Sequence, residues 1–257
     1  MNALTNEGEA LVLNLFRGVD IPAGTKVELV AYTAVSTDDD GVSQSVEVSD
    51  TGYSRKAVTF NDPEAGTAGR RKCVSNVDVE FGPFDTTGGQ ITSYGIAVDD
   101  VVVIRGLATT PKDIVKGGVI KVKAGELYPS LRGASDSFLD AVLNYVCKGH
   151  AVTAPESVHA GLFSDAGELA DPGCSRLPVV FNAPQPDQDS SALTISNQQG
   201  GSWVATEDWP LVNRGKLFDQ AGNELAVLVF PVEMNLTNYA AGDELILAAG
   251  LIVIKVG

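Results

Sequence analysis

Gly52-Tyr53-Ser54-Arg55-Lys56-Ala57-Val58-Thr59-Phe60-Asn61 is answered, without a gap, by Gly173-Cys174-Ser175-Arg176-Leu177-Pro178-Val179-Val180-Phe181-Asn182. Gly52, Ser54, Arg55, Phe60 and Asn61 return unchanged as Gly173, Ser175, Arg176, Phe181 and Asn182. Each stretch reads as a strand entered through a glycine. Pro178 lacks a backbone donor, so the second strand is expected at a sheet edge or a bulge.

Working outward, the match extends in both directions. Upstream, Val12-Leu13-Asn14-Leu15-Phe16 followed by Arg17-Gly18 corresponds to Val142-Leu143-Asn144-Tyr145-Val146 followed by Cys147-Lys148-Gly149. Both are short amphipathic runs closed by a basic residue and a glycine, the signature of a capped helix. Next, Val27 to Thr33 corresponds to Val158 to Ser164, each a strand ending in an aromatic and a hydroxyl residue. Downstream, Tyr94 to Asp99 pairs with Arg214 to Asp219, and Gly117 to Gly125 with Gly242 to Gly250. Elements kept in order at one long period read as a domain written twice. The expected domains are residues 1–130 and 131–257, divided near Pro129 to Ser135. Short apolar runs at period two between turn residues predict strands. The expected fold is mainly β: two tandem antiparallel β-sandwiches of jelly-roll or Ig-like type, each opening with a short helix.

These residues carry a resemblance. The order of helix with Arg-Gly, aromatic-Thr strand, Gly-Tyr-x-Arg-x-x-Val-x-Phe, Tyr-Gly-Ile at 94–96 and Leu107-Ala108-Thr109-Thr110-Pro111-Lys112 resembles small tailed-phage proteins of the tail-fibre, minor tail and virion structural group. The likeness covers about residues 5 to 128. The second copy has lost the Tyr-Gly-Ile and Thr-Thr-Pro-Lys elements. The resemblance implies a virion component made in the host cytoplasm. Its implied partners are other virion proteins of tail or capsid, in a homo-oligomeric or symmetric assembly.

Composition agrees with that setting. Charged residues make up 20% of the chain and the net charge is −15. Nucleic acid requires clustered cations, and Arg70-Arg71-Lys72 is the sole tight cluster; neither nucleic acid nor an anionic membrane is an expected partner. Met1 to Glu7 lacks the basic start of an export signal. Cys73, Cys147 and Cys174 have neither the number nor the spacing of a disulfide framework or a zinc site. Free, mostly buried thiols are the expectation, with Cys147 and Cys174 the alternative pair for a bridge.

The residues carry no recognisable chemistry. His150 and His159 lack metal or triad spacing, no Gly-x-Ser-x-Gly elbow or phosphate loop is present, and Asp38-Asp39-Asp40-Gly41 lacks the register of a calcium loop. The expectation is a non-enzyme with no catalytic, metal or cofactor residues. Gly52, Ser54, Arg55, Phe60, Gly173, Ser175, Arg176 and Phe181 are its structural repeat positions. The alternative is a receptor- or carbohydrate-binding adhesin module, with Trp203 and Trp209 as glycan contacts.

Overall fold

The computed structural model describes residues 2–34, 46–187, 190, 192–228 and 239–255. The acidic run Asp38 to Asp40 lies outside them. In the first half, strands β1 (Asn2–Leu4), β2 (Val27–Ala34), β3 (Val46–Glu47), β4 (Lys56–Ala57), β5 (Glu64–Ala65) and β6 (Arg71–Lys72) are followed by β7 (Val79–Phe81), β8 (Gln90–Val98), β9 (Val101–Asp113), β10 (Ile120–Val122) and β11 (Ser130–Leu131). The second half has β12 (Val158–Ser164), β13 (Gly167–Glu168), β14 (Leu177–Val179), β15 (Gln185–Pro186) and β16 (Leu193–Ser196). It continues with β17 (Gly201–Val204), β18 (Arg214–Phe218), β19 (Glu224–Leu228), β20 (Glu244–Leu247) and β21 (Val253–Lys255). Helix α1 (Asn6–Leu15) opens the first half and α2 (Asp136–Lys148) the second.

All pairings are antiparallel, in two similar units. Unit one has the order β1-β9-β8-β2-β3 with β4 also on β2, beside the pair β10-β7 and the trio β11-β6-β5. Unit two has β13-β12-β18-β19 with β14 also on β12, beside β17-β20 and β15-β16-β21. Each unit therefore divides into three sheets where two facing sheets were expected. The strands outside each unit's main sheet are only two to four residues long and pair as separate small sheets. β14, which contains Pro178, pairs with β12 alone.

Register reveals how closely the units agree. Glu28 stands opposite both Ala57 and Ala97, and His159 opposite both Pro178 and Phe218. That matches Ala97 to Phe218, one residue from the sequence reading, which set Val98 there. Phe60 bridges to Ser75 as Phe181 does to Asn197. The repeated glycines also acquire a cause: a Cβ on Gly52 would lie 2.0 Å from the carbonyl oxygen of Pro83, and one on Gly173 1.8 Å from that of Val204. No other residue fits such an approach.

Each helix is capped by its own sequence. Thr5 Oγ1 accepts from Gly8 N at 3.1 Å and Ser135 Oγ from Phe138 N at 3.3 Å. Gly149, at φ 68°, ends α2 in the left-handed conformation that glycine adopts freely. The first helical turns are tied to matching strands, Thr5 N donating to Val103 O and Ser135 N to Leu225 O.

The two units share one core. Leu13, Phe16, Leu143 and Val146 join residues of both halves in a single apolar cluster. α2 packs on β6, β8 and β2 of unit one, while α1 reaches β16 of unit two. Glu9 Oε2 of α1 accepts from Leu193 N at 2.6 Å, and Asp140 of α2 takes Arg71 in a two-pronged pair at 2.6 and 2.7 Å. The Phe16 ring meets Phe138 at 4.9 Å and Phe181 at 6.2 Å. Ile21 and Val152, which hold matching positions after the helices, exchange both backbone hydrogen bonds with each other at 2.9 Å. A residue paired with its own counterpart marks an approximate two-fold axis. The three cysteines are free and buried. Cys147 is therefore not bridged to Cys174; its thiol meets that of Cys73 across the unit boundary, and burial pushes it well up.

Candidate functional site

β9 bulges away from β8 in its second half. β1 pairs with it only at Ile104 to Gly106. β8 pairs with it up to Leu107 and again at Lys112, so among the described residues no strand residue stands opposite Ala108 to Pro111. This stretch borders an open groove of about 1010 Å³, walled also by Tyr94 to Ile96 of β8, by the loop around Arg70 and by residues 125–130. The groove thus gathers the Tyr-Gly-Ile and Thr-Thr-Pro-Lys elements that the sequence singled out separately.

Its charge is opposite to that of the chain. Arg70, Lys72, Arg105, Lys112 and Lys121 line it, five of the eighteen Lys and Arg; of thirty-three acids only Glu126 does. Lys72 is paired with Glu64 at 3.1 Å, and Lys121 with Asp78 at 2.8 Å and Glu80 at 3.3 Å. Arg105 lies over the Tyr32 ring, 5.7 Å from its centre. Lys112 is exposed and has no ion pair among the described residues, and Arg70 reaches only Ser130 Oγ, at 3.4 Å. Burial pushes the Tyr94 hydroxyl up to about 12, so it stays protonated as a donor. Leu107 is 66% exposed and Tyr128 54%, giving the rim apolar surface.

The repeat positions lie elsewhere, as parts of the frame. Arg55 donates to Glu47 through Nε and Nη2 at 3.0 and 2.9 Å, and to Asp100 O at 3.1 Å. Arg176 holds Glu168 in the same way at 2.7 and 2.8 Å, and stacks on Phe218 3.5 Å from the ring centre. Phe60 and Phe181 are buried. Ser175 Oγ donates to Pro172 O at 3.2 Å. Trp203 and Trp209, read from sequence as glycan contacts, are 1% and 3% exposed. Their indoles donate inward, Trp203 to Ser175 O at 2.9 Å and Trp209 to Asp171 Oδ2 at 2.8 Å, so neither offers a ring face to solvent.

Sequence reading missed two carboxylates. Asp171 Oδ1 accepts from Gly173 N and Thr206 Oγ1, and Oδ2 from Thr206 N, Glu207 N and Trp209 Nε1, all within 3.0 Å. Burial opposes its ionisation, but those donors hold its carboxyl well below the usual range. Asp50 does the same work in unit one, accepting from Gly52 N, Asp85 N and Thr86 N and Oγ1. The Thr86 hydroxyl and Asp85 amide lower it to about 2. An Asp two residues before the repeated glycine was the available signal. Among the described residues no group of three or more His, Cys, Asp or Glu is placed to hold a metal ion, and no helix is long and apolar enough to cross a membrane.

No curated protein and no solved structure matches the chain. A family model does: residues 3–129 match that described as podophage GP4 fiber I protein gp80. The match spans the groove and stops at the end of unit one. Over its N-terminal unit the chain is similar to that phage fibre family.

Proposed function

We propose that this chain is a non-enzymatic structural component of a tailed-phage virion, seated on the tail or fibre side, where it binds neighbouring virion proteins. The groove carries this reading. Its walls come from residues 94–96 and 105–112, inside the family match, and its bulged strand and exposed Leu107 suit a protein contact. In the same reading the two units arose by duplication of one domain, divided between residues 130 and 131. Each is a sandwich-derived unit whose second layer has split into a two-stranded and a three-stranded sheet. The stacking of Phe81 of β7 on Tyr53 and Tyr94, at 5.6 and 6.3 Å, supports that layering. Exposed Val227, Ile246 and Val253 of unit two supply a further contact surface for a symmetric or homo-oligomeric assembly.

Purified particles test this. Mass spectrometry should find the chain in fixed proportion to the tail proteins, and immunogold label should fall on the tail. Absence from particles overturns the virion reading; label confined to the head shell overturns the tail-side placement.

A further inference from the structure

Unit two serves as an internal control for the groove of unit one. Strand register and matching backbone bonds identify the counterparts of four of the five lining cations. Gly66 N bonds to Arg70 O as Asp187 N does to Ala192 O. Lys72 faces Glu64 and Ser130 as Thr194 faces Gln185 and Lys255. Arg105 faces Gly95 as Val227 faces Lys216. On the outer face of the two-stranded sheet, Lys121 corresponds to Ile246. So the fold builds the same strands with Ala192, Thr194, Val227 and Ile246, and requires none of the four cations. A chain of net charge −15 nevertheless collects five of its eighteen cations here. Lys112 stands there without a carboxylate among the described residues, and Arg70 has only a long hydroxyl contact.

The second observation is the strand beside them. Ala108, Thr109 and Thr110 bring backbone donors and acceptors that face no strand residue among the described residues, and Pro111 ends the donor series. A bulged stretch with unpaired backbone groups, next to a line of cations, suits an extended segment whose backbone bonds give affinity and whose side chains meet the cations. A sugar chain would use the cations and leave the strand idle.

We propose that the groove docks an extended acidic polypeptide segment of a neighbouring virion protein. It would pair along Ala108 to Thr110 with its carboxylates at Lys112 and Arg70. This deepens the structural reading above and rests on it for the partner's identity. It also divides the chain's contacts: the matching face of unit two carries Val227 at 50% and Ile246 at 62% exposure in place of Arg105 and Lys121, beside Lys216 and Lys255, which are held by Glu224 and Asp187, and suits a different partner.

The test uses the full chain and a fluorescent peptide alternating Glu and Val, with anisotropy as readout. The competitors are the same peptide N-methylated on alternate amides and a sulfated oligosaccharide. The double variant Arg70→Glu/Lys112→Glu, checked for unchanged circular dichroism, is compared with the parent. The expected result is binding that weakens about tenfold or more in the variant and weakens with added salt. The N-methylated peptide should fail to compete. No binding, or equal binding by the variant, overturns the proposal. Equal competition by the N-methylated peptide or by the oligosaccharide also overturns it, in favour of a general anion or glycan site. Whether the chain is in the particle is read separately, so either idea can fail while the other stands.

Discussion

Asp171 shows what a single residue can hold in this fold. Both of its oxygens are surrounded by donors, so an asparagine there would turn an amide NH2 against at least two N–H or O–H groups. We expect Asp171→Asn to lower Tm by on the order of 10 °C despite its near-identical shape. Scanning calorimetry checks this, and an unchanged Tm would contradict it. Asp50 makes a pH statement. Its folded carboxyl is lowered to about 2, below the unfolded value near 4. Its contribution is therefore complete above about pH 4 and lost as pH falls through about 2. The parent should lose stability between those values more steeply than Asp50→Ala; parallel curves would remove Asp50 from the account. Arg176 is the third case at this scale. Lysine cannot reproduce its two-pronged bond to Glu168 or its stacking on Phe218. Arg176→Lys should cost about 1 kcal/mol in urea unfolding, the scale of a partly exposed pair; a neutral result would mean that solvent already screens the contact.

At the scale of elements, much was legible. Both opening helices stand where an apolar stripe ended by a basic residue and glycine placed them, and Pro178 does sit on an edge strand. The two repeated glycines were visible too, although their reason, a carbonyl oxygen at less than van der Waals distance, is tertiary. What the pattern could not carry was partnership. Val142, Leu143 and Val146 announce an apolar face, but period alone does not say that α2 covers β6, β8 and β2 of the other unit. Likewise Thr109-Thr110-Pro111-Lys112 read as a family mark, and only the skipped register made it one wall of a groove. Trp203 and Trp209 went the other way: large rings flanking a loop looked available, and hydrogen bonds to Ser175 and Asp171 hold them inside. The crossed helix gives a prediction. Leu143 is fully buried in unit one's share of the core, so Leu143→Ala should cost roughly 2–5 kcal/mol. Both tryptophans lie in unit two. If the helix couples the units, their fluorescence should report the same lowered midpoint as circular dichroism; two separated midpoints would show that the units melt alone.

At the scale of the whole molecule, the approximate two-fold axis through Ile21 and Val152 makes one body from two related units, with salt bridges and ring contacts crossing between them. A protease site introduced at exposed Gly133 should therefore yield two halves that still co-elute on gel filtration; elution as separate species would refute the shared core. Symmetry in the frame coexists with asymmetry on the surface, since one unit presents Arg105 and Lys121 where the other presents Val227 and Ile246. Such a chain can join two unlike neighbours through one rigid body. An interface map of the assembled particle by cryo-electron microscopy tests this most directly. The account predicts the chain in the tail region, with an acidic strand of one protein laid along Ala108 to Thr110 and a different neighbour over Val227 and Ile246. A groove left open to solvent, or one partner buried equally by both units, would contradict it.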